Sequence, residues 1–195
     1  MGEKSDQKRE YILDRAKEVF ARKGFLQVTM KDIVEACKIS RGGLYLYFGS
    51  TEEIFCAILS KQWEEEDSDL ASNLGETVGM ADILMLFLKE QKKLILCKKE
   101  DMGRATYEYF FAHKPKDISE NILRNQFKTA VHILTRILEE GTIRGEFYCE
   151  NPKQEARNLM YSIEGMKICS RTMGLNESQV DRELLYLVSG FLIEE

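Results

Sequence analysis

TMKDIVEACKISRGGLYLYF, residues 29–48, divides into two short helices joined by a tight polar turn and followed by an aromatic cluster. Thr29 is placed to cap the first helix, with Asp32 three residues on as the reciprocal capping acid. Ile33, Val34 and Cys37 fall at helical spacing on one face. Lys38-Ile39-Ser40 interrupts that pattern, and Ile39 is the apolar residue of the turn, placed to plug the gap between two crossing helices. Ser40 can cap a second helix whose first turn is Arg41-Gly42-Gly43. Leu44 and Phe48 share its buried side at i and i+4, which leaves Tyr45 and Tyr47 on other faces. A helix pair of this kind is the helix-turn-helix arrangement, whose second helix enters the major groove of DNA by its N-terminal end.

On the N-terminal side, residues 6–23 read as a helix capped by Asp6, with Ile12, Ala16, Val19 and Phe20 on one stripe. Gly24 ends it as a left-handed C-cap, and Phe25 and Val28 tuck back toward the stripe. On the other side, Gly49-Ser50 marks a break. Ser50 with Glu53 forms a capping box that opens a long helix to about Asp69, with Ile54, Phe55, Ile58, Leu59 and Trp63 on its apolar side. Over residues 12–58 the chain resembles the N-terminal DNA-binding domain of the TetR family of transcriptional repressors. The likeness is carried by AKEVFARKGFLQVTMKDIVEACKISRGGLYLYFGSTEEIF, residues 16–55. There the helix lengths, the Gly24-Phe25 break, the Thr29 cap and the Leu44-Tyr45-x-Tyr47-Phe48 cluster occur in register. Leu46 stands where a histidine is frequent in that family, Thr51 where a lysine is frequent, and Gly43 where threonine or alanine is more usual.

Two prolines in 195 residues, with abundant Leu, Ile, Glu and Lys, predict an all-α protein of about nine helices. The expected organisation is a three-helix helix-turn-helix domain over residues 1–50 and a helical regulatory domain, for ligand binding and dimerisation, over residues 51–195. Loops are expected at residues 73–79, at Lys114-Pro115-Lys116 and at residues 141–148. Asn151-Pro152 and Asn176 open the last two helices. No apolar run approaches the length of a membrane span, and the charged N-terminus lacks a signal-peptide core, so a cytoplasmic location is expected. The net charge of −5 conceals an asymmetry: residues 1–50 carry ten Lys and Arg against seven Asp and Glu. A basic end suffices for phosphate neutralisation, which is local. The five cysteines, Cys37, Cys56, Cys97, Cys149 and Cys169, have no CxxC spacing and read as reduced small hydrophobes. No HExxH, GxSxG, phosphate-binding loop or metal-ligand spacing is present, so neither an enzyme nor a cofactor is expected.

Three sites are expected. On the DNA face, Arg41, Gly43 and Tyr45 point outward from the start of the second helix. Arg41 can grip a guanine edge or a phosphate, and the Tyr45 ring can touch a thymine methyl. The Tyr47 hydroxyl is placed for phosphate, and Thr29 and Thr51 sit at helix N-termini that favour phosphate. Lys31, Ser40 and Gly42 complete the set, and the resemblance implies the same roles at the matching positions. The second site is an adaptable apolar ligand pocket, with candidates Leu88, Cys97, Met102, Tyr107, Phe110 and Phe111 from the middle of the chain, and Phe127, Val131, Met160, Tyr161 and Met166 from further on. His132 and Glu164 are possible polar handles. The resemblance implies an inducer pocket in this half of the chain, for a small apolar or amphipathic ligand. The third is a self-association surface on the last two helices, with Ile163, Ile168, Leu184, Leu187, Val188 and Phe191. The resemblance implies a four-helix bundle with a second copy, and the plain alternative is intramolecular core.

The functional expectation is a homodimeric repressor released from a palindromic operator by a small ligand. Two alternatives remain at this stage: a redox-responsive regulator of the same fold acting through Cys97 or Cys169, and a helical apolar-ligand-binding protein without operator activity.

Overall fold

A computed structural model describes residues 3–72, 79–97, 101–113 and 121–191. Among the described residues there are nine helices and no strand: α1 (Glu3–Lys23), α2 (Met30–Cys37), α3 (Arg41–Tyr45), α4 (Thr51–Ser72), α5 (Met80–Leu96), α6 (Met102–Ala112), α7 (Ile122–Ile143), α8 (Pro152–Thr172) and α9 (Glu177–Ser189). The expected all-α class holds. Helix α1 begins three residues before the expected cap, because Glu3–Asp6 contains no breaker and simply continues the helix; Asp6 caps nothing. Residues 73–78 of the loop expected at 73–79, the proline stop at Lys114-Pro115-Lys116 and the Trp63 side chain lie outside the described residues.

The chain forms two compact units, one of Met1–Ala71 with Lys98–Ile122 and the other of Ser72–Cys97 with Leu123–Glu195. The boundary expected at residue 50 therefore does not coincide with a packing boundary. The first unit retains α4 and recruits α6, because apolar residues of both helices complete the core begun by α1–α3. That core is built on Ile12, Ala16 and Phe20 of α1, Ile33 of α2, Leu44 of α3 and Phe55 of α4, all fully buried, with Met102 and Ala105 arriving from α6. Burying a side chain of this size contributes roughly 1.5–3 kcal/mol.

Phe25 is the centre of an aromatic cluster within the first unit. Its ring lies 6.0 Å from Phe20 and 4.9 Å from both Phe55 and Tyr109, with His113 at 5.2 Å. The Tyr109 hydroxyl donates to Glu52 Oε1 at 3.1 Å and lies 3.3 Å from Cys56 Sγ, both on α4. Burial, then Cys56, then the Glu52 carboxylate push the Tyr109 phenol well above its ordinary range, so it stays protonated. Beside it, the Glu108 carboxylate accepts from Leu26 N at 3.2 Å and from Arg104 Nε at 2.7 Å. Partial burial pushes the Glu108 carboxyl up, but Arg104 and the Leu26 amide outweigh it and hold the group below its usual value. Gly24 at φ +79° makes the turn possible, and Glu108 fills the space a side chain there would need, 2.7 Å from Oε1 to the site of a Cβ.

The second unit packs α5 against α8 and α9 over Leu84, Leu134, Leu138, Ile163 and Val180, with Phe147 and Phe191 edge to face at 6.1 Å. Glu146 accepts from Ala81 N at 2.9 Å and so caps α5, whose N-cap Gly79 offers no side chain. The expected turn at Gly141 is a correction: α7 runs through it to Ile143. Gly141 is there because Phe147 folds back onto it, and both Glu146 N and Phe147 N donate to its carbonyl, at 2.8 and 3.2 Å.

A methyl built at Gly141 overlaps the Phe147 ring and comes within 3.1 Å of Met80 Cβ. Helix propensity alone favours alanine over glycine by about 1 kcal/mol. The overlap opposes this, because Phe147 is buried and has no room to retreat, and overpacking costs about 1–3 kcal/mol. Gly141→Ala is expected to lower the stability measured by urea unfolding; an increase would show that Phe147 can move.

Candidate nucleic-acid interface

The exposed face of the first unit is organised by two caps. At α2, Thr29 Oγ1 accepts from Asp32 N at 3.3 Å, and Asp32 Oδ2 accepts from Thr29 N at 2.9 Å and from the Thr29 hydroxyl at 2.8 Å. Lys23 Nζ reaches Asp32 Oδ1 at 2.6 Å and ties the end of α1 to the start of α2. At α3, Ser40 Oγ accepts from Gly43 N at 3.0 Å, so its hydroxyl serves the cap. Between the helices Lys38 takes the left-handed conformation, φ 52° and ψ 41°, and its N–H donates to Glu35 O and Val34 O. For a residue with a Cβ that conformation costs about 1–2 kcal/mol. Tyr11 of α1 adds a further restraint, its hydroxyl donating to Cys37 O at 3.3 Å at the end of α2.

These caps leave the outer side of α3 free of internal work. Arg41 is exposed, with its guanidinium 5.8 Å from the centre of the Tyr45 ring, itself exposed. Neither α3 nor its flanking turn contains a carboxylate. No atom lies within 4 Å of where a Cβ at Gly42 would stand, while one at Gly43 would approach Ser40 Oγ at 3.1 Å. Gly42 is thus open to solvent, and Gly43 belongs to the cap. Tyr47 is half-buried against the core. Ser50 Oγ accepts from Glu53 N at 3.1 Å and the Glu53 carboxylate takes the Gly49 amide, which places Thr51 on the first turn of α4. Lys31 is exposed and makes only a long pair with Glu35, 3.8 Å. All nine expected DNA-face residues lie in the first unit. Leu46, 84 % exposed, follows α3 directly; noted in the sequence only as standing where a histidine is frequent, it was not among the expected DNA-face residues, because an apolar side chain carries no signal for a polar ligand.

The other expected sets are divided. Met102 and Phe110 pack into the core of the first unit, Tyr107 is half-buried there, and Phe111 is exposed. In the second unit, Leu88 and Met160 are buried, Cys97 is half-buried, Phe127, Val131 and Met166 are partly buried against the core, and Tyr161 is exposed. His132 is exposed, and Glu164 pairs with Lys167 at 2.8 Å. The residues expected at the self-association surface are likewise divided, with Ile168 exposed and the others not. Ile163, Leu184, Val188 and Phe191 are buried inside their own subunit, and Leu187 packs partly against the same core. The apolar side chains that α8 and α9 do expose are Tyr161, Ile168, Leu185 and Tyr186.

Two family models cover most of the chain: "Bacterial regulatory proteins, tetR family" over residues 12–58, and "Tetracyclin repressor-like, C-terminal domain" over residues 83–181. The protein belongs to the TetR family. This member is 33 % identical over 150 residues to the HTH-type transcriptional regulator YfiR of Bacillus subtilis, covering 77 % of this chain and 73 % of that one. It is 24 % identical over 176 residues to the HTH-type transcriptional regulator QacR of Staphylococcus aureus, covering 85 % and 87 %. Its fold is shared with a regulator from Saccharomonospora viridis solved in complex with choline, at TM-score 0.83, 15 % identity and coverage of 97 % and 100 %. This TetR-family protein is a DNA-binding transcriptional regulator, and the family is typically one of ligand-responsive, homodimeric repressors.

The cap at α2 carries a pH dependence. The Lys23 ammonium first, then the Thr29 amide, hold the Asp32 carboxyl down at about 2, against an ordinary 3.8. The folded group binds its proton less readily than the unfolded one, so its stabilisation is complete above pH 3.8 and is lost as the pH falls toward 2. Asp32→Asn is expected to lower the thermal midpoint at neutral pH, with the gap to the wild type closing over that acidic window; a gap independent of pH would refute the charge pairing.

Proposed function

We propose that this TetR-family member is a two-fold repressor of its own operator, that α3 of each subunit reads base edges, and that a small ligand in the regulatory half releases it. The reading rests above all on the acid-free, exposed start of α3, held by the Ser40 cap with Arg41 and Tyr45 unburied. A five-residue helix covers only a few base pairs, which favours two copies reading successive major grooves about 34–36 Å apart. Arg41 supplies a bidentate grip on guanine or a strong phosphate contact. The amides opening α2 and α4, with Thr29 and Thr51 beside them, favour phosphates by the positive end of the helix dipole. Ligand control requires a difference in affinity between the operator-competent and incompetent states, since equal binding shifts nothing.

Pairing of subunits falls to the side chains that α8 and α9 leave exposed, Leu185 and Tyr186 foremost, rather than to the residues already committed to the subunit core. Burying both aromatic and aliphatic faces against a second copy supplies the apolar centre that a stable interface needs.

Footprinting on the upstream region of the protein's own gene tests the reading, with protection of two half-sites expected. Arg41→Ala is expected to weaken specific binding by about 10- to 100-fold, corresponding to about 1–3 kcal/mol. Tyr47→Phe should reduce it less and leave the salt dependence unchanged, because a neutral hydroxyl on a phosphate releases no counterion. Both should leave the thermal midpoint unchanged, and normal binding by both variants would mean that another face meets DNA. Separately, the double variant Leu185→Glu, Tyr186→Glu is expected to sediment as a folded monomer; a persistent dimer would place the interface elsewhere.

A further inference from the structure

Outside the DNA face, the second unit contains an open groove of about 420 Å³ between α7 and the first turns of α8. Its floor is apolar: Phe127 and Val131, with the Phe127 ring 4.8 Å from that of Tyr161. Thr135 turns its hydroxyl away, donating to Val131 O at 2.7 Å. Its rim is basic, formed by Lys128 and Arg136 of α7 and by Lys153 and Arg157 of α8, with His132 between the first two. Glu139 is the one carboxylate among the lining residues.

The rim gathers cations at one place on a chain that is acidic as a whole. The protein carries 33 Asp and Glu against 28 Lys and Arg. Several cations on other helix surfaces find acids one turn away, as in Arg104–Glu108, Arg144–Glu140 and Lys167–Glu164. None of the four rim cations has a carboxylate within ion-pair distance among the described residues, and Glu139, three residues from Arg136, does not close on it. Lys153 and Arg157 stand at i and i+4, a like-charge spacing that costs helix stability. An acidic chain thus gathers four uncompensated cations around an aromatic floor, and an anion seated there would relieve the repulsion.

We infer that this groove binds an amphipathic anion: an aromatic or short alkyl body lying on Phe127 and Val131, with a single sulfonate, carboxylate or phosphate held by Arg136 and Arg157. The volume falls in the range of small-molecule sites, and planar guanidinium groups are suited to flat or trigonal oxyanions. The inference goes beyond the operator reading and does not depend on it, since it concerns a surface of the second unit alone.

A matched pair of fluorescent probes tests it on the full-length protein: 8-anilinonaphthalene-1-sulfonate, and N-phenyl-1-naphthylamine, which has the same rings without the sulfonate. The wild type is expected to bind the sulfonate at least about tenfold more tightly than the neutral amine, with the preference shrinking at about 0.5 M salt as charge is screened. In the double variant Arg136→Gln, Arg157→Gln, sulfonate affinity is expected to fall about tenfold while affinity for the amine stays within about twofold. Equal binding of the two probes by the wild type, or undiminished sulfonate binding by the variant, would overturn the proposal. Sedimentation of the variant gives a second readout. An unchanged assembly state supports a ligand groove, whereas loss of the dimer would assign the rim to contact with a second copy and overturn it. Arg136 is exposed and Arg157 half-buried, and neither has an ion pair among the described residues, so the thermal midpoint of the variant is expected to stay close to that of the wild type.

Discussion

The aromatic cluster around Phe25 is the constraint on which the exposed side of α3 depends. The residue follows the Gly24 turn immediately, so its ring is inserted where α1, α4 and α6 converge, in contact with Phe20, Phe55, Tyr109 and His113. Aromatic pairs of this geometry contribute about 0.5–1.5 kcal/mol each beyond the area they bury. Their larger effect is directional, since the stacked, tilted and edge-on contacts of one ring with Phe20, Phe55, Tyr109 and His113 fix the angles between their helices. With α1 and α4 fixed, the short α2 and α3 have only one way to bury Ile33 and Leu44, and the outer side of α3 follows from it.

Stability and recognition are separated by residue within the same twenty positions. Thr29, Asp32, Ser40 and Gly43 complete helix ends, and Ile33, Cys37, Leu44 and Phe48 fill the core. What remains, chiefly Arg41, Gly42, Tyr45 and Leu46, has no internal duty and is available to a partner. The second unit shows the same separation on a larger scale. One side of α7 lies in the core through Leu134, Ile137 and Leu138, while its other side forms the basic groove.

The helix-turn-helix was legible in the sequence because its determinants are local. Capping boxes span three residues and apolar stripes three or four, so Thr29 with Asp32, and Ser40 ahead of Leu44, can be read from the chain alone. Determinants separated by long stretches of chain were not legible. Nothing near residue 108 announces that its carboxylate will take the amide of Leu26, and the recruitment of α6 into the first unit follows from that contact and from Tyr109. Periodicity identified Ile163, Leu184, Val188 and Phe191 as one-sided apolar residues, but a helical stripe does not say whether its cover comes from the same chain or another. Gly141 misled for a related reason: a glycine in a helical pattern signals either an end or a close neighbour, and the neighbour is Phe147, folded back from beyond the helix.

Glu108 occupies the volume beside Gly24 that any side chain there would fill, and it lies 82 residues beyond Leu26, whose amide it accepts. A growing polypeptide emerges N-terminus first. The α1–α3 segment therefore leaves the ribosome well before the residues that finish its packing, and its short-range contacts can form while Phe25 and Phe55 still lack the lid that Tyr109 and His113 provide. Until α6 arrives, the nascent segment shows an apolar notch to its surroundings. It reaches its mature rigidity only once more than half of the protein has been translated.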